Sequence, residues 1–127
     1  PHIIAGGRPL YLEDGMRGGG GETGAYETDE SDKSFLKAES RYRLLLNVDR
    51  DHLETYGGDF AALQQAFADF ALGGVITILN AADPTLQNIP YHGERFAYYY
   101  VGEGAAPQAF APLYRGDFAP GSDALKL

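Results

Sequence analysis

Two short apolar runs with one amphipathic pattern between them constrain the fold more than any other feature of this chain. The first run, within Arg41 to Val48, carries Leu44-Leu45-Leu46 and Val48, the continuous apolar character expected of a strand buried on both faces of a parallel sheet. Asp59 is then an N-cap candidate, and Phe60, Leu63, Phe67 and Phe70 recur at the spacing of one helical face. Gly73-Gly74 closes that helix, and Val75 to Leu79 is a second apolar run that stops at Asn80. Strand, helix and strand within about 40 residues is what a right-handed crossover between parallel strands needs. The expected class is α/β, a parallel sheet with flanking helices.

The remaining elements are weaker. Ile3-Ile4-Ala5, within Pro1 to Gly7, reads as a strand, and Gly15 to Gly24, with its glycine run Gly18 to Gly21, as a loop. Ala25-Tyr26-Glu27 is a short strand candidate, Thr28 to Asp32 an acidic loop, and Ser34 to Ala38 a helical turn. Phe96 to Val101 is a further strand, and strand signals at Leu113-Tyr114 and Ala124 to Leu127 allow a small antiparallel extension at the C-terminal end. Ligands of parallel sheets sit beyond the carboxyl ends of the strands. Those ends carry Glu27, Asp49 to His52, and Asn80 to Asp83. Topology therefore predicts that an acid leaving one strand and an imidazole leaving its neighbour face a common pocket.

The chain has 127 residues, 44% of them hydrophobic, which suits one domain or part of one. Eighteen acidic against ten basic residues give a net charge of −8, a field that repels nucleic-acid phosphates and anionic membranes. With no cysteine, a metal must be held by carboxylate, imidazole or carbonyl groups, a donor set that favours magnesium over zinc. No apolar run approaches the ~20 residues of a membrane span, and no signal-like segment opens the chain, so the expected location is the cytoplasm.

Asp51-His52 behind a strand, with Glu27 behind another, is a pattern that can hold a divalent cation between an imidazole and a carboxylate. On the residues alone, a loop histidine is more often a surface or hydrogen-bonded structural residue. Asp29-Glu30-Ser31-Asp32 is likewise more often a solvated acidic turn or helix N-cap, and it lacks the glycine and glutamate spacing of an EF-hand. Asn80-Ala81-Ala82-Asp83-Pro84 can present an amide and a carboxylate to a base or ribose, although a turn opened by Asp-Pro is the stronger reading. The glycine run is not a phosphate loop, because no Gly-Lys-Ser/Thr ending follows it. Tyr98-Tyr99-Tyr100 reads as a half-buried strand, since no basic residues interleave with it.

Together, the run from Glu27 through Asp29-Glu30-Ser31-Asp32-Lys33-Ser34-Phe35-Leu36 and the run Asn47-Val48-Asp49-Arg50-Asp51-His52-Leu53-Glu54-Thr55-Tyr56 resemble the two central motifs of the Mur ligases. The spacing between them agrees, and the resemblance covers about residues 1 to 90. The form of the acidic motif, and the continuation Gly58-Asp59-Phe60, point within the family to the L-alanine-adding type. The resemblance implies a P-loop-type central ATPase domain, of which residues 1–127 are a part lacking the upstream phosphate-binding loop. It implies a reaction in which ATP phosphorylates the lactyl carboxylate of UDP-N-acetylmuramate and the amine of L-alanine attacks the acyl phosphate. ATP and magnesium are the implied cofactors.

By motif, Glu27 and His52 would each bind a magnesium ion, Asp51 would orient His52 or a metal-bound water, and Asn47 would support the same loop. Asn80 and Asp83 match the family's Asn-x-x-Asp-Pro stretch and join Asn47 in the implied cofactor-binding set. No lysine lies between Lys37 and Lys126, so the modified lysine of later Mur ligases has no candidate here. The piece is expected to be inactive alone. Two alternatives stay open: a recycling ligase that adds a tripeptide, and a non-catalytic binding module that keeps the fold.

Overall fold

In the computed structural model, residues 1–6, 15–88, 96–101, 114–118 and 125–126 are described. They fall into two compact units, Pro1–Lys37 and Ala38–Leu127, each taken by itself. The first unit is built on a strand of isoleucines, β1 (His2–Ile4), flanked by β2 (Met16–Arg17) and β3 (Gly24–Tyr26) in the order β2-β1-β3. β1 and β3 are parallel, with Ile3 opposite Ala25, while β2 runs antiparallel to β1. The glycine-rich stretch is thus not loop throughout, because Met16-Arg17 pairs with Ile3-Ile4 through its backbone. Gly19 lies so close to the Pro1 carbonyl that a Cβ there would sit 2.1 Å from the oxygen, and its amide donates to His2 Nδ1 at 3.3 Å.

The acidic stretch folds into side-chain-closed turns. Asp29 Oδ1 accepts from the Ser31 amide and hydroxyl, and Asp32 Oδ1 accepts from the Ser34 amide at 2.7 Å. A 3₁₀ turn at Ser34–Lys37 comes next, on the residues expected to be helical, and Phe35 within it is buried.

The second unit contains the expected crossover. β4 (Tyr42–Leu45) leads through the helix α1 (Phe60–Leu72) to β5 (Ile76–Asn80), and the two strands pair in parallel with Leu45 opposite Leu79. A short helix α2 (Pro84–Gln87), unforeseen in the sequence, precedes β6 (Phe96–Val101), β7 (Tyr114–Phe118) and β8 (Leu125–Lys126). The five-stranded sheet has the order β4-β5-β6-β7-β8, parallel as far as β7, with β8 antiparallel as the expected extension. Phe96 to Tyr99 are half-buried, as the strand reading of the tyrosine run requires.

Asp59 caps α1 by accepting from the Ala61 amide at 2.9 Å, and Leu63, Ala66, Phe70 and Ala71 carry its buried stripe, with Phe60 and Phe67 half-buried. At its far end α1 is tied to the sheet by polar side chains. The Arg43 guanidinium donates to the Phe70 carbonyl, reaches the Ala38 carbonyl at 3.1 Å, and lies 4.4 Å from the Phe70 ring centroid. Thr77, fully buried on β5, donates to the Ala71 carbonyl at 2.6 Å. The last carbonyls of a helix lack intrahelical donors, and a cation is favourable there.

Two expectations are corrected. β4 is not buried on both faces: Arg43 and Leu45 are buried, but Tyr42 is 65% and Leu44 56% exposed. Successive strand residues point to opposite faces, and the buried set is the one on the side of the Arg43 contact with α1. Nor do Glu27 and His52 leave neighbouring strands: β3 pairs with β1, and the sheet neighbour of β4 is β5. The strand Gly24-Ala25-Tyr26, exposed at every residue, has no large aliphatic side chain to bury in a helix-covered sheet.

A Cβ on Gly73 would lie 2.5 Å from Arg43 Nη1. Gly73 has ordinary right-handed backbone angles, so Gly73→Ala should destabilise the full-length protein by ~1–3 kcal/mol through overpacking alone. Urea unfolding should show Arg43→Met relieving part of that loss in the double variant, and strict additivity would contradict the packing.

The Asp32 carboxyl is held below its usual range, first by the Ser34 hydroxyl and then by the Ser34 amide. Such a group adds stability that is present above its unfolded pKa and lost as pH falls through the lower folded value. Ser34→Ala should therefore shift the Asp32 midpoint upward in an NMR titration; an unmoved midpoint would show that the hydroxyl is not its partner.

Candidate functional site

The polar residues of the second unit gather where β4 and β5 end. Past Leu45 the chain leaves the sheet, and Asn47 donates its amide to Asp49 Oδ2 at 2.8 Å. Val48 turns inward and is buried, while Arg50 lays its guanidinium over the Phe60 ring, 4.4 Å from the centroid. Asp51 Oδ1 accepts from the His52 amide at 2.9 Å. These contacts hold the loop against the first turn of α1 and leave the imidazole half-buried, with Asp51 exposed beside it.

His52 has φ 52° and ψ 29°, in the left-handed region that non-glycine residues seldom occupy. It opens a 3₁₀ turn, Leu53–Tyr56, that ends on two glycines of positive φ, Gly57 and Gly58, with buried Tyr56 as its anchor. The imidazole lies between two carboxylates, Asp51 Oδ2 4.0 Å from Nε2 and Glu54 Oε1 3.8 Å from Nδ1. Both separations exceed hydrogen-bond length. Asp51 thus acts here on the backbone at His52 through its other oxygen. Glu54 was not singled out in the sequence; its two-residue spacing from His52 meant nothing until the left-handed residue folded the chain back.

Asn80 and Asp83 stand at the end of β5 and meet the same loop. Asn80 Nδ2 donates to the Leu46 carbonyl at 2.9 Å, and Asp83 Oδ2 accepts from the Val48 amide at 3.3 Å. Asp83 also caps α2 by accepting from the Leu86 amide at 2.7 Å, with Pro84 at the first helical position. The Asp-Pro start thus opens the short helix α2, where the residues alone suggested a turn. Burial, and then the charge of Asp83, push the Tyr99 hydroxyl pKa upward.

Glu27 belongs to the first unit, at the exit of β3. Its amide continues the ladder to the Ile4 carbonyl at 2.8 Å, and its Oε2 accepts from the Gly6 amide at 2.8 Å, leaving Oε1 outside that bond. Among the described residues, no three His, Asp or Glu side chains come together as a metal cage. Magnesium keeps most of its waters and takes one or two protein carboxylates with substrate phosphates. An exposed carboxylate with one oxygen fixed by a backbone amide is a donor that fits such an ion, whereas the half-buried imidazole of His52 is a softer nitrogen donor with two carboxylates beside it.

No family model matches the chain. Over 93 residues, 73% of its length, it is 38% identical to UDP-N-acetylmuramate–L-alanine ligases of Xanthomonas oryzae pv. oryzae (strain PXO99A) and Stenotrophomonas maltophilia (strain K279a). The ligase of the same name from Xanthomonas campestris pv. campestris (strain B100) matches at the same identity and coverage. The aligned segment is 16% of the length of these relatives. With its two motifs, their spacing and this likeness, the chain belongs to the Mur ligase family.

Proposed function

We propose that the protein carrying this segment joins L-alanine to UDP-N-acetylmuramate at the expense of ATP, and that residues 1–127 are part of its central ATP-binding domain. The observation that carries the reading is the second motif, Asn47 to Tyr56, displayed at the carboxyl end of a parallel strand beside the exit of its neighbour, where α/β sheets bind ligands. The names of the relatives supply the substrate class, and no helix among the described residues is long and apolar enough to cross a membrane.

In the proposed reaction the lactyl carboxylate takes the terminal phosphoryl group of ATP, forming an acyl phosphate and releasing ADP. The alanine amine attacks the acyl carbon, phosphate leaves, and an amide forms. Magnesium, when bound, would neutralise charge on the phosphoryl oxygens. Glu27 would offer Oε1 to one ion while the Gly6 amide fixes its other oxygen. His52 would offer a ring nitrogen to a second ion, with its backbone locked by Asp51 and its ring in the field of Asp51 and Glu54. Asn47 holds Asp49 within the same loop.

Phosphate release by the full-length protein should depend on both UDP-N-acetylmuramate and L-alanine. His52→Ala should lower kcat by about 100-fold or more, the scale of losing a ligand worth roughly 3 kcal/mol in the transition state. Full turnover in that variant would remove the site from the mechanism. Release that responds to a tripeptide and not to free alanine would reassign the substrate.

Glu27→Gln keeps the shape of the side chain but loses its charge. It should raise the magnesium concentration needed for half-maximal rate by about tenfold or more, and an unchanged magnesium dependence would exclude Glu27 as a ligand.

A further inference from the structure

The geometry points to Asn80 and Asp83 as positioning residues that clamp the exit of β4 and so fix the loop bearing Asp51 and His52, and not as groups that contact the nucleotide. The inference deepens the ligase reading and rests on it for its kinetic consequences, but the clamp itself is visible in the hydrogen bonds alone.

Each side chain has two polar atoms, and in each one atom is spent locally. Asn80 Oδ1 accepts from the Ala82 amide at 3.0 Å and Asp83 Oδ1 from the Leu86 amide at 2.7 Å, the self-bonded turns that Asn and Asp commonly form. The informative atoms are the other two. Asn80 Nδ2 and Asp83 Oδ2 both cross to one stretch of backbone, the Leu46 carbonyl and the Val48 amide.

These two backbone groups lie just beyond the last ladder pair, Leu45 with Leu79. Ladder alternation turns the backbone groups of Arg41, Arg43 and Leu45 toward β5, as the Ile76 amide on the Arg41 carbonyl shows, so the Leu46 carbonyl and Val48 amide are reached by side chains outside the regular rungs. Past Asn80 the β5 backbone pairs on its other side, the Ala81 amide donating to the Tyr99 carbonyl at 2.7 Å, and then turns into α2. Two side chains thus tie the departing backbone to the β5 exit, and buried Val48 is held at the point where the loop departs. All four polar atoms of Asn80 and Asp83 already hold a protein partner, so a ligand would meet only the second amide hydrogen and the remaining lone pairs.

Substitutions of nearly equal shape separate the clamp from the turns. Asn80→Asp keeps the acceptor for Ala82 but sets a carboxylate oxygen against the Leu46 carbonyl. Asp83→Asn keeps the helix cap, since asparagine caps as well as aspartate, but turns an amide donor toward the Val48 N–H. In the full-length protein each should speed hydrogen exchange in the peptide spanning residues 46–50 by about tenfold or more. Each should lower kcat by about 10- to 100-fold, as loss of an orienting partner does, with the KM for ATP within about twofold of wild type. His52→Ala added to Asp83→Asn should lose less than the product of the two single effects, because both act through one loop.

A KM for ATP raised tenfold or more with kcat retained would overturn the inference and make these residues nucleotide ligands. Unchanged exchange at 46–50 would also overturn it. Faster exchange in a protein whose wild type shows no alanine-dependent phosphate release would support the clamp and reject the ligase reading. Should Asp83→Asn fail to fold, Asp83→Ser, which still caps a helix but is too short to reach Val48, carries the same expectations.

Discussion

The second unit depends on how the C-terminal end of α1 is bonded to the sheet beneath it. The carbonyls of Phe70 and Ala71 near the helix end take donors from the sheet, Arg43 from β4 and Thr77 from β5, while Phe70 also accepts from the Gly73 cap amide. A buried guanidinium without a carboxylate partner is costly unless its donors find acceptors and its face finds a ring. Here it has two carbonyls and Phe70, although its Nε finds no partner among the described residues. Gly73 and Gly74 leave the room that this arrangement needs. The helix end is thereby tied to both parallel strands at once, and the strand exits inherit that placement.

At those exits the bonding becomes local. One side of the β4 exit is fixed to α1 by Arg50 over Phe60, the other to the β5 exit by Asn80 and Asp83. Between these anchors Asp51 and His52 lead into a 3₁₀ turn of only four residues, Leu53–Tyr56, which carries Glu54. A rigid scaffold carrying a short polar loop is the usual way an α/β protein places chemistry.

The crossover was legible because its signals are physical: an aliphatic run, a cap, aromatic residues at helical spacing, and a glycine pair. The orientation of β4 was not. Leu44-Leu45-Leu46 looks symmetric in sequence, and only the partners of Arg43 decide which of its faces is covered. Nothing in a pattern of apolar residues says that an arginine one position away will be buried against a helix end. Met16-Arg17 escaped notice for a related reason, since backbone pairing holds it among glycines that carry no side-chain signal. At the candidate site, position behind a strand and motif resemblance both single out Asp51 and His52, while Glu54 and the partners of Asn80 and Asp83 depend on distances that spacing does not encode. Glu27 was named by motif as well; what the fold adds is the Gly6 amide that holds one of its oxygens.

His52 carries a further implication. Its left-handed backbone is a conformation that glycine adopts freely and that a side-chain-bearing residue enters at a penalty of roughly 1–2 kcal/mol. Glycine at this position would relax the main chain while deleting the ring. Lys33, with φ 62°, enters the same region, so among the described residues the fold twice holds a side-chain-bearing residue against what its backbone would choose for itself.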